Sequence, residues 1–462
     1  MKKTACLCRN VAVASALLPL ASAAWAAESP AASVSKGWQK PAWVTDLSAG
    51  VKECYDDNVL LVADKSPGLS PKSSWITTLS PKVGFNFAPL LGTQKTIKTL
   101  SLTYSPDFSF YHNAPDESYN AHKIADSIKG KTGDFSFSGD NAFLFNDGED
   151  EGPIYAVGQG AASQQYDKNR SAYATAVPRE RRKQIQDRAT ILLQYDVGQF
   201  FVRPTAALTY YDLMTDWHKT SAAPYKGYQN YVDRADVNGG VDLGYKVMTN
   251  LAFTVGYRYG HQYQQAYTAN VDSTYQSSSD YQRALVGVEG QPLSWLTIKV
   301  LGGPDFRDYN STAPMSDYHQ TAYYGEGSLV ATISANQSLT FSYKHWRWVS
   351  STGKVAYDDS SYGVVYHVNA TKQLGFDLGF KYANSDYTCG SAVKSGNSSL
   401  RDDAMYTFSG GVSYAFTKHL SASLTYQYDL GDNQQGALAV PPSPDYRGFN
   451  HQLVSLGAQY KF

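Results

Sequence analysis

The sequence predicts an all-β protein, a transmembrane antiparallel up-and-down β-barrel of about 18 strands, with 16 as the alternative count. Three observations carry this. Segment after segment alternates apolar with polar residues at period two, which sorts side chains onto two faces only in a strand. The links between those segments alternate short with long. After the leader, no apolar run approaches the roughly 18 residues that a spanning helix needs, so strands must do any crossing.

The leader comes first. "MKKTACLCRN" is a basic n-region, "VAVASALLPLASA" an apolar core, and Ala24-Trp25-Ala26 a small-residue cleavage site, so residues 1–26 read as an export signal and the mature chain is expected to begin at Ala27. Cys6 and Cys8 precede the apolar core and leave with it, which puts Cys54 and Cys389 in an oxidising compartment, paired or apart. Residues 27–42 form a periplasmic N-terminal lead, and 43–462 the barrel with long extracellular loops. Counting hairpins from Trp43, strands are expected near 43–57, 73–88, 96–112, 120–130, 134–145, 183–197, 200–212, 231–247 and 251–265, then 277–290, 295–309, 318–333, 338–349, 361–371, 373–387, 402–417, 420–430 and 450–462.

The alternation is cleanest in the second half. In "LSASLTYQYDL" Leu420, Ala422, Leu424, Tyr426, Tyr428 and Leu430 share one face, and Ser421, Ser423, Thr425, Gln427 and Asp429 the other. That is a lipid-out, water-in pattern. Tyr and Phe crowd the strand ends, as in interfacial girdles, whereas a soluble sandwich would favour Val, Ile and Leu. Short links such as Gly198-Gln199 and Lys418-His419 belong to one rim, and long ones such as 213–230 and 431–449 to the other. Closure follows from the end: "LVSLGAQYKF" is apolar on one face up to Phe462, so the last strand must pair with the first, near Val44 to Val51, to leave no open edge.

Composition excludes other classes. With 462 residues, 14% aromatic, 36 Tyr, 37 Gly and a mean hydropathy of −0.39, the chain is neither a helical membrane protein nor low-complexity disorder. No linker or charge block divides it, so one domain is expected. The formal charge is −1, and removing Lys2, Lys3 and Arg9 with the leader takes it to about −4, which argues against nucleic acid as a partner. The chain contains no G-x-S-x-G, H-E-x-x-H, phosphate-binding loop or zinc-spaced Cys/His cluster, so neither an enzyme, a cofactor nor a metal is expected. His112, His122, His218 and His319 near loop bases are the candidates for catalysis, and their scatter reads as rim polarity. The acid pairs Asp56-Asp57, Asp358-Asp359 and Asp402-Asp403 would hold divalent ions against lipopolysaccharide phosphates, or are hydrated charge.

Two features point into the lumen. The longest link, 146–182, joins an acidic stretch with Asp147, Glu149, Asp150 and Glu151 to the basic "RERRK", and is expected to fold back as a constriction. Arg182, Arg188, Arg203, Arg258, Arg283, Lys299 and Lys381 fall on inward parity and are the expected basic wall facing it. In "SYKHWRW", Trp346 and Trp348 share the inward parity of Ser342 and Lys344, where they would stack on sugars. If a β-bulge flips the register, they join the girdle instead.

The terminal "VSLGAQYKF", with Tyr460 and Phe462, resembles the signature that the assembly machinery of bacterial outer membranes recognises. "YDDNV" at 55–59, "SPKVGFNF" at 80–87, "LTYSPDFSFY" at 102–111 and "FFVRPTAALTYYDLMT" at 200–215 are similar to an uncharacterised group of β-barrel porins of Gram-negative outer membranes. The resemblance implies location in the cell outer membrane. It makes outer-membrane lipid, lipopolysaccharide and the barrel assembly machinery the partners. Barrels of about 16 to 18 strands enclose an aqueous channel unless plugged, so the expected function is a passive porin for small hydrophilic solutes. The alternative is a structural or surface-interaction barrel, and an outer-membrane enzyme is the remote one. Solute, selectivity and oligomeric state are not legible.

Overall fold

The computed structural model describes residues 40–59, 61, 71–92, 95–148, 183–214, 233–265, 267–268, 274–311, 317–349, 356–386, 402–433 and 448–462. The leader and most of the lead lie outside these residues. The strands are β1 (Val44–Asp56), β2 (Ser74–Asn86), β3 (Ile97–Tyr104), β4 (Asp107–Tyr111), β5 (Tyr119–Thr132), β6 (Phe135–Asp147) and β7 (Gln184–Val197). Then come β8 (Phe200–Asp212), β9 (Arg234–Met248), β10 (Leu251–Gln264), β11 (Tyr267–Thr268), β12 (Thr274–Tyr275), β13 (Ser279–Leu293) and β14 (Leu296–Tyr309). The last are β15 (His319–Ser334), β16 (Gln337–Trp348), β17 (Tyr357–Asn369), β18 (Leu374–Asp386), β19 (Asp402–Ala415), β20 (Leu420–Asn433) and β21 (Phe449–Lys461). β3 and β4 are one stave, broken at Ser105-Pro106 because proline has no N–H to give the ladder. β11 and β12 pair only with each other, within a link. The wall therefore has eighteen staves, each antiparallel to its neighbours, as expected.

Closure is observed, with a correction. β21 pairs with β1 over Ser48–Asp56, from Ser48 opposite Lys461 to Asp56 opposite Leu453, rather than over Val44 to Val51. Barrel strands tilt, and the stagger that closes a tilted sheet moves the seam along β1 towards its far end. A second difference lies at β17, which begins at Tyr357 rather than at 361 because "YDDS" continues the ladder on both sides. The short turns are where glycine is required: Gly133 and Gly198 have φ of 57° and 61°, which a Cβ would penalise.

The two faces differ as a membrane demands. Outward residues such as Val255, Val286, Leu378 and Leu456 are each more than half exposed, with only lipid to cover them. Near the long-loop rim Tyr343, Tyr362, Tyr382 and Tyr406 run ring against ring across four staves, with centroids 5.1, 6.0 and 5.0 Å apart. At the other rim Phe200 meets Tyr245 at 5.0 Å and Tyr460 meets Phe462 at 4.9 Å. Such paired belts mark two interfaces. The outward pattern is interrupted at Asp126, Asn141 and Asp187 on β5–β7, where Asp187 is covered by its neighbours to 1% exposure.

Phe462 closes the seam through its main chain, its N–H donating to Leu47 O at 2.9 Å, while its ring stays 56% exposed on the lipid side. Phe462→Asp places a charge in that belt, whereas Lys461 points the other way. The heat-modifiable band in the outer-membrane fraction should fall sharply for F462D and hold for K461A. Equal yields would refute the assignment of the terminal ring to assembly.

Candidate functional site

Inside the wall one hairpin leaves its place. β16 follows β15 only as far as His345 opposite Gly325, yet its ladder with β17 runs on to Trp348 opposite Tyr357. Freed on one side, the ribbon end turns into the lumen. There it is held by main-chain carbonyls: Arg307 Nη2 and Gln262 Nε2 both donate to Arg347 O, at 3.2 and 2.9 Å, and Arg234 Nη1 donates to Val349 O at 3.0 Å. The donors stand on β14, β10 and β9. Trp348 packs edge-on against Tyr211 of β8, 6.4 Å away. Along the wall β8, β9, β10, β13, β14 and β15 precede β16, so the tip reaches six staves from its root. Such a span is a chord through the lumen. Arg347 itself is clamped by Asp358 in a bidentate pair, both bonds at 2.9 Å, and donates to Gln320 Oε1.

The wall that receives the tip is dry and cross-linked. Arg307 and Asp305, both at or below 1% exposure, form a two-point pair at 3.2 and 2.9 Å, and Arg283 Nε donates to the same carboxylate at 2.9 Å. Arg307 Nη1 also donates to Gln262 Oε1 at 2.7 Å, Gln262 Nε2 to Asp236 at 2.8 Å, and Tyr281 Oη to Asp236 at 2.8 Å. Charges this deep persist only when each is paired and hydrogen-bonded. Towards the short-turn rim Arg203 spans β9 and β10 to reach Glu289 bidentately at 2.7 and 3.0 Å, while Arg258 pairs with Asp242 at 2.7 Å. Missing side chains make room. A Cβ on Gly260 would fall 2.3 Å from the Tyr281 ring, one on Gly244 2.0 Å from Phe201, and one on Gly256 2.4 Å from Asp242.

The opposite wall is bare by comparison. Many of the inward positions on β17 to β21 and β1 are short, among them Gly363, Gly379, Thr407, Ser409, Gly411, Ser423, Ser455 and Gly457, with longer side chains such as Lys52, Asp377, Lys381 and Gln427 set between them. Short side chains leave width. Near the long-loop rim His451 bridges Asp56 and Asp429 at 3.0 and 3.1 Å across the seam. In the link beside β9, burial pushes the Asp233 carboxyl up to about 6 although it accepts the Leu213 N–H, and neighbouring Asp212 pushes the same way.

The expected basic residues divide into three sets. Arg203, Arg258 and Arg283 are neutralised by acids of the wall itself, not presented to an acidic loop. Arg188 donates to Tyr211 Oη at 2.7 Å, and Lys299 and Lys381 are exposed. Arg182, Glu149, Asp150 and Glu151 lie outside the described residues, and Asp147 ends β6 exposed. Trp346 and Trp348 are inside, stacked at 4.5 Å, but offer no open stacking surface. Trp348 is 3% exposed, and the second face of Trp346 carries Lys344 Nζ, 3.9 Å from the ring centroid. They pack the tip. Most of the link 146–182, expected to form a constriction, lies outside the described residues; among the described residues it is the β16–β17 tip that enters the lumen.

Of the rim histidines, His112 lies 2.8 Å from Thr77 Oγ1, His319 2.6 Å from Asp308, and His122 2.8 Å from Tyr104 Oη; His218 is outside the described residues. Asp56, Asp57, Asp358 and Asp359 all accept hydrogen bonds from the protein. Among the described residues no group of three or more His, Cys, Asp or Glu is placed to hold a metal. Cys54 is a buried free thiol, and Cys389 lies outside the described residues.

A closed antiparallel barrel, apolar and aromatic outside and polar inside, defines the class: an outer-membrane β-barrel. Among solved structures the chain is similar to OccAB4 of Acinetobacter baumannii, at 12% identity over 92% of this chain and 100% of that one, TM-score 0.40. It is similar to OccK2 (OpdF) of Pseudomonas aeruginosa in complex with glucuronate, at 10% over 90% and 98%, TM-score 0.40. It is also similar to the FrpB iron transporter from Neisseria meningitidis, at 9% over 90% and 82%, TM-score 0.43. No protein-family model matches the chain, and no curated protein does. At such identities the likeness concerns barrel architecture alone.

Proposed function

We propose that the barrel is a passive channel for small hydrophilic solutes. Its path runs along the β17–β1 side of the lumen, past the inserted hairpin. One observation carries this reading: the tip is fastened to the β8–β14 wall, and the wall across from it is rich in serine, threonine and glycine. A plug meant to seal would need partners on both sides. Hydroxyls and bare backbone hold water without charge, and a wet wall of that kind lets polar solutes exchange hydration for passing hydrogen bonds. Purified mature protein in a planar bilayer should give stepwise, non-saturating current. If folded, heat-modifiable protein gives none, the barrel is a structural or surface-interaction scaffold.

A further inference from the structure

On the bare wall two lysines stand apart from every described acid. Lys52 of β1 and Lys381 of β18 both face the lumen, both are exposed, and neither has an acid within ion-pair distance among the described residues. They are set alike. Lys381 stands between Gly363 of β17 and Thr407 of β19, and Lys52 between Gly457 of β21 and Thr78 of β2. No neighbour on either flank is long enough to cover an ammonium, and a Cβ at Gly457 would already touch Lys52 Cβ at 3.9 Å. Each glycine keeps a lysine free.

Elsewhere in the lumen four lysines are cancelled, Lys82 by Asp46, Lys129 by Asp140 and Lys246 by Asp196 at 2.7, 3.3 and 3.0 Å, and Lys123 by Asp107, while on the far wall Lys344 is packed on the Trp346 ring and Lys299 stands exposed. The acids of the same wall near the path have histidine partners, not lysines. Asp377 sits on His367 at 2.7 Å, and Asp56 and Asp429 share His451. Along the bare wall between the rims, Lys52 and Lys381 are exposed cations without an acid in ion-pair distance among the described residues, separated by four strand spacings, roughly 19 Å around the wall at about 4.8 Å each. In a passage walled by low-dielectric material, two unpaired charges of one sign set the local potential and decide which ions gather.

We infer that the passage selects small hydroxylated anions, with Lys52 and Lys381 receiving the carboxylate or phosphate and the serine and threonine hydroxyls meeting the rest of the solute. The inference rests on the channel reading. Its test is the reversal potential of the mature protein in planar bilayers under a potassium chloride gradient. Compared with it are K52E/K381E, the neutral K52Q/K381Q, and K372E in a turn at the short-link rim. Heat-modifiable mobility establishes that each variant is folded. Chloride should permeate severalfold more readily than potassium in the parent and in K372E. K52Q/K381Q should abolish the preference and K52E/K381E should invert it. Replacing chloride by gluconate should leave a current in the parent that K52E/K381E loses. Conductance with a reversal potential unmoved by either double variant overturns the anion inference and leaves the channel standing. No conductance from folded parent overturns both.

Discussion

Excising the hairpin tip from Trp346 to Asp359, and joining His345 to Ser360 through a Gly-Gly turn, is expected to raise single-channel conductance severalfold and to admit larger sugars in liposome swelling. The physical ground is that the tip crosses the lumen as a chord held at its far end by Arg234, Gln262 and Arg307. Where it enters, the cross-section is shared between packed protein and water, and conductance follows the water. His345 and Ser360 already face each other across the ladder and are hydrogen-bonded at 2.8 Å, so the shortened hairpin keeps its pairing with β18. A milder variant, R234A/Q262A, removes two fasteners without shortening the chain. It should give a noisier channel that flickers towards the wide level. Unchanged conductance in both would mean that the narrowest point lies elsewhere, and the role assigned to the tip would be wrong.

Neutralising Asp305 should be the most damaging single change to the fold. Its carboxylate is fully buried and takes hydrogen bonds from Arg283 and Arg307 together. Asp305→Asn keeps the shape and removes the charge, leaving two buried guanidinium groups without their direct carboxylate partner, a loss of about 3–5 kcal/mol for breaking a buried pair. The barrel should then unfold at a clearly lower temperature in the gel-mobility assay. Because Arg307 also holds Arg347 O, channel noise should rise in the same variant. Asp377→Asn, at a carboxylate 44% exposed on the other wall, is the control and should cost little. If the two variants melt together, the network is not what stiffens that wall.

Eighteen staves were legible because period two survives in almost every one, and because a closed sheet admits no unpaired edge. The basic residues Arg203, Arg258 and Arg283 were placed on the correct face by parity alone. Their partners were not. Arg203 meets Glu289, 86 positions along, by reaching over two intervening strands, and side-chain alternation carries no information about neighbours three staves away. The inserted tip was hidden for another reason. Parity sets Arg347 on the lipid face, and it would be there if β16 stayed in the sheet. Nothing in the period tells where a strand stops following one neighbour while still following the other. Trp346 and Trp348 were the available signal, two large rings on a lumenal parity otherwise given to serine and lysine. They were read as a surface for sugars, when their bulk was filling the gap between a displaced hairpin and the far wall. The seam was misplaced along β1 because stagger depends on tilt, a property of the whole sheet.

The fasteners of the tip grip carbonyl oxygens, not side chains, and this sets what kind of sequence change the constriction tolerates. Arg347 O and Val349 O accept through the main chain, so the anchoring bonds themselves do not read side-chain identity, although the Arg347 side chain is separately buried on Asp358 and Gln320. Insertion is different. One extra residue before 347 turns every carbonyl beyond it to the opposite side of the ribbon and withdraws both acceptors at once. Length is held more rigidly than the side chains that face the open path, so those can change what is admitted without first losing the narrowing that does the sorting.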